Sequence, residues 1–156
     1  MIDDDMVFAQ DIIHKMLIEC NKLVASGIRK VAIGVNAVRK NPVGLTYTAK
    51  SIEDEFTPGM EAYMKSKGRA GVAEASFCGL GAFLIETQIL REIPKPHFEI
   101  LFDSGKNDHE GEDYYFIKKL RQHGVRVFVD DDIAQTMGHA GEFIYSFGVY
   151  PDAPPP

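Results

Sequence analysis

Between Ala9 and Val24 the apolar side chains recur at helical spacing. Ile12, Ile13, Met16, Leu17, Cys20, Leu23 and Val24 form one stripe, and Gly27 closes the segment, which predicts a helix over 9–24. Val31 to Val38 and Gly44 to Ala49 predict strands, and Asn41-Pro42 between them suggests a hairpin. Residues 50–70 are polar and punctuated by Pro58, Gly59 and Gly68, as in a loop with a short helix near 59–66. Ala73 to Phe77 predicts a strand, and the apolar stretch resumes at Ala82 to Ile85 beyond Gly79 and Gly81. A helix at 86–92 stops before Pro94 and Pro96. Phe98 to Phe102 has strand character, and 103–111 is a polar loop.

The clearest helix runs over about 111–123. Phe116, Ile117 and Leu120 form its apolar face, Lys118, Lys119 and Arg121 its wet one, and Gly124 suits the C′ position. Val125 to Val129 predicts a strand, Asp130-Asp131-Asp132 a solvated turn, and Ile133 to Met137 a last strand leading into Gly138-His139. Helices and strands mix throughout, so the class is α/β with a mixed sheet flanked by helices. One domain over 1–148 and a disordered Pro-rich tail over 149–156 are expected.

A length of 156 residues is enough to bury a real core. The net charge of −6 argues against nucleic acid or an anionic membrane as partner, because both reward basic surfaces. Phosphate remains accessible through a metal. Cys20 and Cys78 are too few for a disulfide framework and fit a reducing, cytoplasmic setting. No apolar run approaches the ~20 residues of a membrane helix.

Three features carry candidate chemistry. Met1-Ile2 followed by Asp3-Asp4-Asp5 resembles a buried strand that delivers carboxylates at its end. Adjacent like charges suit Mg²⁺ or Mn²⁺, although a solvated chain start explains them as well. Glu112 and Asp113 open a helix. Complementarity to the helix dipole, worth a few tenths to ~1 kcal/mol, accounts for them blandly; a rigidly held catalytic carboxylate is the sharper reading. His139 sits between glycines after a strand, where imidazole joins carboxylate and phosphate oxygens in a workable Mn²⁺ shell. Gly79 and Gly81 either let backbone amides approach a substrate or mark a tight strand crossing.

Taken in order, these stretches resemble the second half of an inverting GT-A-type glycosyltransferase, the family that uses nucleotide sugars. Ile2-Asp3-Asp4-Asp5-Met6-Val7-Phe8 looks like its Asp-x-Asp motif, and Ser76 to Ile85 is similar to its Gly-rich strand. Gly111-Glu112-Asp113-Tyr114-Tyr115-Phe116 resembles the opening of the catalytic helix. Lys119 to Val127 matches the helix-Gly-strand that follows, and Gly138-His139 the late metal-binding His. The resemblance spans roughly 1–143 and implies a partial GT-A fold. It implies Asp5 and His139 as metal ligands, with Asp3 on the metal or ribose and Asp4 beside the donor. Asp113 becomes the general base, Glu112 its helper, and Gly79 and Gly81 line the sugar or acceptor pocket. The cofactor is then Mn²⁺ or Mg²⁺, the donor a nucleotide sugar, and the acceptor a glycan or other hydroxyl.

In that family a nucleotide-binding half precedes the Asp-x-Asp motif, whereas here Met1 stands two residues before Asp3. The expectation is a truncated or split form with an open edge at its first strand, completed by homo-oligomerisation or by a partner that supplies the missing half. The rival reading is a non-catalytic glycan-binding or assembly module derived from such an enzyme. A weaker one is a two-metal phosphohydrolase or nucleotidyltransferase that draws a further carboxylate from Asp130 to Asp132.

Overall fold

The computed structural model describes residues 1–2, 4–37, 48–53, 70–103, 108–140 and 144–146. Its centre is a mixed sheet of five strands: β2 (Val31–Val35), β3 (Ala49–Ser51), β4 (Val72–Cys78), β5 (Phe83–Ile85) and β8 (Arg126–Asp130). They lie in the order β3-β4-β8-β2-β5, where β2 and β8 are parallel and the other pairs antiparallel. Two strands of the periphery, β6 (Leu101–Asp103) and β7 (Asp108–Glu110), form a separate hairpin. A second sheet of three strands, β1 (Met6–Val7), β9 (Gly138–Ala140) and β10 (Ile144–Ser146), has β9 in the middle.

Strand alternation divides the interior in two. Ala32, Val127 and Val129 point to one face and meet Phe83, Phe116, Ile117 and Leu120. Val31, Ile33, Val35 and Phe128 point to the other and meet Ile12, Met16, Ile133 and Met137. Helix α3 (Glu112–Gln122) therefore covers one face, and α1 (Ile12–Ala25) with the short α4 (Asp131–Ala134) the other. Helix α2 (Thr87–Glu92) adds Ile89 to the α3 side. Because both faces of β2 are covered, all five of its residues are buried, and it reads as an unbroken run without polar residues rather than an alternation.

The predicted helices near 9–24, 86–92 and 111–123 are present with shifted ends. Several other expectations are corrected. The seven-residue stripe of α1 is wider than its contact: Ile12 and Met16 are buried, whereas Ile13, Leu17 and Val24 are exposed. Ile133 to Met137 is not a strand. Asp130 Oδ1 accepts the Ile133 N–H at 2.9 Å and caps a helical turn, and the strand begins only at Gly138. Asp130 and Asp131 are buried rather than a wet turn, and Asp132 alone is exposed. The first strand lies at Met6–Val7, and Ile2 forms a single bridge with Ala82. The strand predicted at Phe98 to Phe102 starts later and pairs with part of the predicted 103–111 loop. The strand over Val31 to Val38 stops at Val35, and of the next the described part is Ala49–Ser51. The Asn41-Pro42 hairpin, the helix near 59–66 and the Pro-rich tail fall outside the described residues. Among the described residues no helix is long and apolar enough to cross a membrane.

Candidate functional site

The turn from Gly79 to Gly81, between β4 and β5, is where the predicted stretches meet. Asp113, in the first turn of α3, accepts the backbone N–H of Leu80 through Oδ2 at 3.3 Å. On the other side of the turn Met6 packs over Gly81, where a Cβ would stand 3.1 Å from the Met6 sulfur. Met6 is paired with His139 across the β1–β9 ladder, and the Ala140 N–H donates to the Asp5 carbonyl at 2.7 Å. The backbones of Asp5 and His139 thus stand one residue apart across two antiparallel strands, and a single three-residue turn links them to Asp113.

Sequence proximity had nothing to do with this. Asp113 is carried by α3, whose buried Phe116, Ile117 and Leu120 fix it on the sheet. His139 is held between β1 and β10, opposite Met6 and Tyr145. Asp5, His139 and Asp113 are all half-buried; Asp4 and Glu112 are exposed. Asp3 lies outside the described residues.

The two glycines of the turn have a packing explanation. The Gly79 N–H donates to the Thr48 carbonyl at 2.7 Å, and a Cβ there would stand 3.0 Å from Thr48 Cβ. The space beside Gly81 is held by Met6. The close approach these glycines permit is therefore to the chain itself, which favours the strand-crossing reading over a pocket lined by bare backbone.

The Asp113 carboxylate acts on a neighbouring thiol. The Cys78 thiol, wholly buried at the end of β4, is pushed far above its ordinary pKa, first by burial and then by the Asp113 carboxylate nearby. It is a protonated, inert thiol at neutral pH. Among the described residues no group of three or more His, Cys, Asp and Glu side chains is arranged to hold a metal. Asp5 and His139 are brought together through their backbones, as the neighbours of the Met6–His139 pair and the Ala140–Asp5 hydrogen bond. A carboxylate and an imidazole are residue types acceptable to Mn²⁺ when substrate phosphates and water fill the remaining positions.

Sequence reasoning missed Asn36. It is fully buried just past the end of β2. Its Nδ2 donates to Asp131 Oδ1 at 3.1 Å, and its Oδ1 accepts the Ala49 N–H at 3.0 Å. Asn36 and Asp131 follow the carboxyl ends of the two parallel strands, the end of an open α/β sheet where ligands bind. The available signal was an amide directly after an unbroken run without polar residues. Two open clefts of about 420 Å³ lie elsewhere. One is bordered by Lys15, Glu19 and Asp132, the other by Arg29, His123 and Arg126; Asp5, Asp113 and His139 line neither.

No family model and no curated protein matches the chain. Among solved structures it is similar to the crystal structure of A197 from STIV, with a TM-score of 0.56 and 18% identity. The match covers 90% of this chain and 56% of A197, so the chain spans little more than half the length of that neighbour. At this identity the likeness is one of fold: a mixed α/β sheet flanked by helices.

Proposed function

We propose that the chain is a metal-dependent sugar transferase, or the catalytic half of one, built on a partial GT-A fold. It would move a sugar from a nucleotide-diphosphate donor to an acceptor hydroxyl with inversion. The observation that carries this reading is the meeting of three distant stretches, around Asp5, Asp113 and His139, at the Gly79–Gly81 turn.

In this reading Asp113 takes the proton of the acceptor hydroxyl while that oxygen attacks the anomeric carbon from the side opposite the diphosphate. The new C–O bond forms as the bond to the diphosphate oxygen breaks, and the bonding pair leaves with the diphosphate. Such a base contributes typically ~10²–10⁴-fold. The Leu80 N–H orients the carboxylate, and Glu112, exposed beside it, meets the acceptor. Asp5 and His139 would hold Mn²⁺ or Mg²⁺, with Asp3 and Asp4 toward the donor. Charge growing on the leaving diphosphate is offset, when the site is loaded, by the Lewis acidity of that ion.

Calorimetry with MnCl₂, alone and with uridine or guanosine diphosphate, tests the assignment. Binding that is strengthened by a nucleoside diphosphate and lost in Asp5→Ala and in His139→Ala is expected. A folded chain that binds no Mn²⁺ under either condition refutes it. A donor-hydrolysis assay separates the remaining rival: glycan binding with no donor consumed would make the chain a non-catalytic module.

A further inference from the structure

The segment leading to Asp113 holds a concentration of apolar surface. Phe98 is 44% exposed, Ile100 64%, Leu101 37% and Phe102 58%, four large apolar side chains within five positions. Among the described residues no other stretch of five carries as many. Single exposed apolar residues need no explanation, but a contiguous group signals a ligand or partner.

The group is anchored to the candidate site. The Phe98 ring packs on Phe116, with centroids 4.6 Å apart, one helical turn beyond Asp113. Phe102 faces His109 across the β6–β7 ladder, rings 5.1 Å apart. Strand β7 ends at Glu110, Gly111 is the N-cap of α3, and Asp113 lies in its first turn. The apolar surface therefore sits on the hairpin that leads into the first turn of α3.

Charge and size select the occupant. Glu99, Glu112 and Asp113 border the patch, with Glu110 paired to Lys118 at 3.1 Å, in a chain of net charge −6, which repels an anionic lipid surface. Strand alternation turns Leu101 to the other face, so Phe98, Ile100 and Phe102 offer on the order of 300 Å², well under the ~800 Å² per partner in a stable protein interface. A small, uncharged molecule fits both limits. We propose that the acceptor of the transferase reading is a neutral amphiphile. Its alkyl or aryl tail lies on Ile100 and Phe102 and its hydroxyl reaches Asp113. The assignment rests on Asp113 being the base, and its test is separable from that.

The probe is n-octyl β-glucoside below its micelle-forming concentration, compared with methyl β-glucoside, which has the same head and no tail. NMR titration of the full chain should show octyl glucoside binding at least ten times more tightly and shifting the Phe98, Phe102 and His109 resonances. The Ile100→Ser/Phe102→Ser variant should lose that preference. Both side chains face solvent, so its unfolding midpoint should stay near wild type; Phe102→Ser alone, with the same shift mapping, serves if it does not. Equal affinities for the two glucosides, or a preference that survives the substitutions, would overturn the proposal. So would self-association in sedimentation that the double variant abolishes, or binding to phosphatidylglycerol vesicles through the same residues. No octyl preference in the wild-type chain, with transfer to methyl glucoside intact, sinks the tail site alone. An octyl preference with no donor consumed sinks the transferase reading instead.

Discussion

The backbone amide of Leu80 donates to a carboxylate oxygen of Asp113 at 3.3 Å, joining residues 33 apart in sequence. It fixes the first turn of α3 to the turn between β4 and β5. Asp113→Asn keeps an oxygen for this bond and removes the basicity, so folding should persist and, on the transferase reading proposed above, acceptor-dependent transfer should fall by ~10²–10⁴-fold. Asp113→Ala also strips the Leu80 N–H of this acceptor and should cost a further ~1–3 kcal/mol of stability. Urea midpoints together with a transfer assay check both; full transfer by Asp113→Asn would remove Asp113 from the chemistry.

Gly34, in the middle of β2, makes a different kind of contact. A Cβ there would stand 2.9 Å from Cys78 Sγ and 3.1 Å from a Phe83 ring carbon. The position is closed by packing, not by backbone angle. Gly34→Ala should destabilise by about 1–3 kcal/mol as the sulfur and ring are displaced. Adding Cys78→Ala removes the obstructing sulfur, so the double variant should lose less than the sum of the two single changes. Strict additivity in denaturant melts would show that β4 does not close over Gly34.

How much of this was legible in the chain follows from the range of the forces involved. Helices α1 and α3 were readable because an apolar face at 3.6-residue spacing is a local signal. So was β2, whose unbroken apolar run marks a strand covered on both sides. The pairing of Met6 with His139 was not, since its register is set by strands 133 positions apart. Nor was Asn36: its partner Asp131 is 95 residues away, and nothing near either residue foretells the contact. The stretch Ile133 to Met137 misled because five residues are too few to separate a buried strand from a helical turn by apolar content. The deciding signal, Asp130 as N-cap, was read as one of three solvated acids. The candidate site was legible as a set of residue types in order, and its assembly at the Gly79–Gly81 turn only in three dimensions.

Two carboxylates should bend the pH–stability profile in opposite directions. Burial holds Asp130 above the ordinary carboxylate range, offset in part by the Ile133 N–H and reinforced by the charge of Glu19. The folded chain then binds this proton more tightly than the unfolded one. Stability from this group falls as pH rises from about 3.9 through the raised folded value, and is constant above it. Asp130→Asn keeps an acceptor for the cap and should abolish that fall. Glu74 is lowered, chiefly by its hydrogen bond from Arg126, so its contribution is present above about 4.3 and is lost as pH falls through the folded value. Glu74→Gln should flatten the acid limb. Midpoints from pH 3 to 7 for both variants test the signs; an acid limb as steep in Glu74→Gln as in wild type, or a fall with rising pH that persists in Asp130→Asn, would reverse the assignment.

The two thiols should separate by reactivity. Cys78 is fully buried, and burial together with Asp113 disfavours its thiolate. Cys20 is half-buried on α1, and its pKa is raised more modestly by burial and by Glu86. Since the thiolate is the nucleophile, Cys20 should react with an aromatic disulfide reagent more slowly than a free thiol at pH 8. Cys78 should react only through opening of the β4–β5 region, slower by orders of magnitude. One equivalent of thiol is then expected from the native chain, a second in denaturant, and none from native Cys20→Ser. Two rapid equivalents from the native protein would mean that Cys78 is not sealed between Gly34 and Asp113, and the carboxylate would lose its buried neighbour.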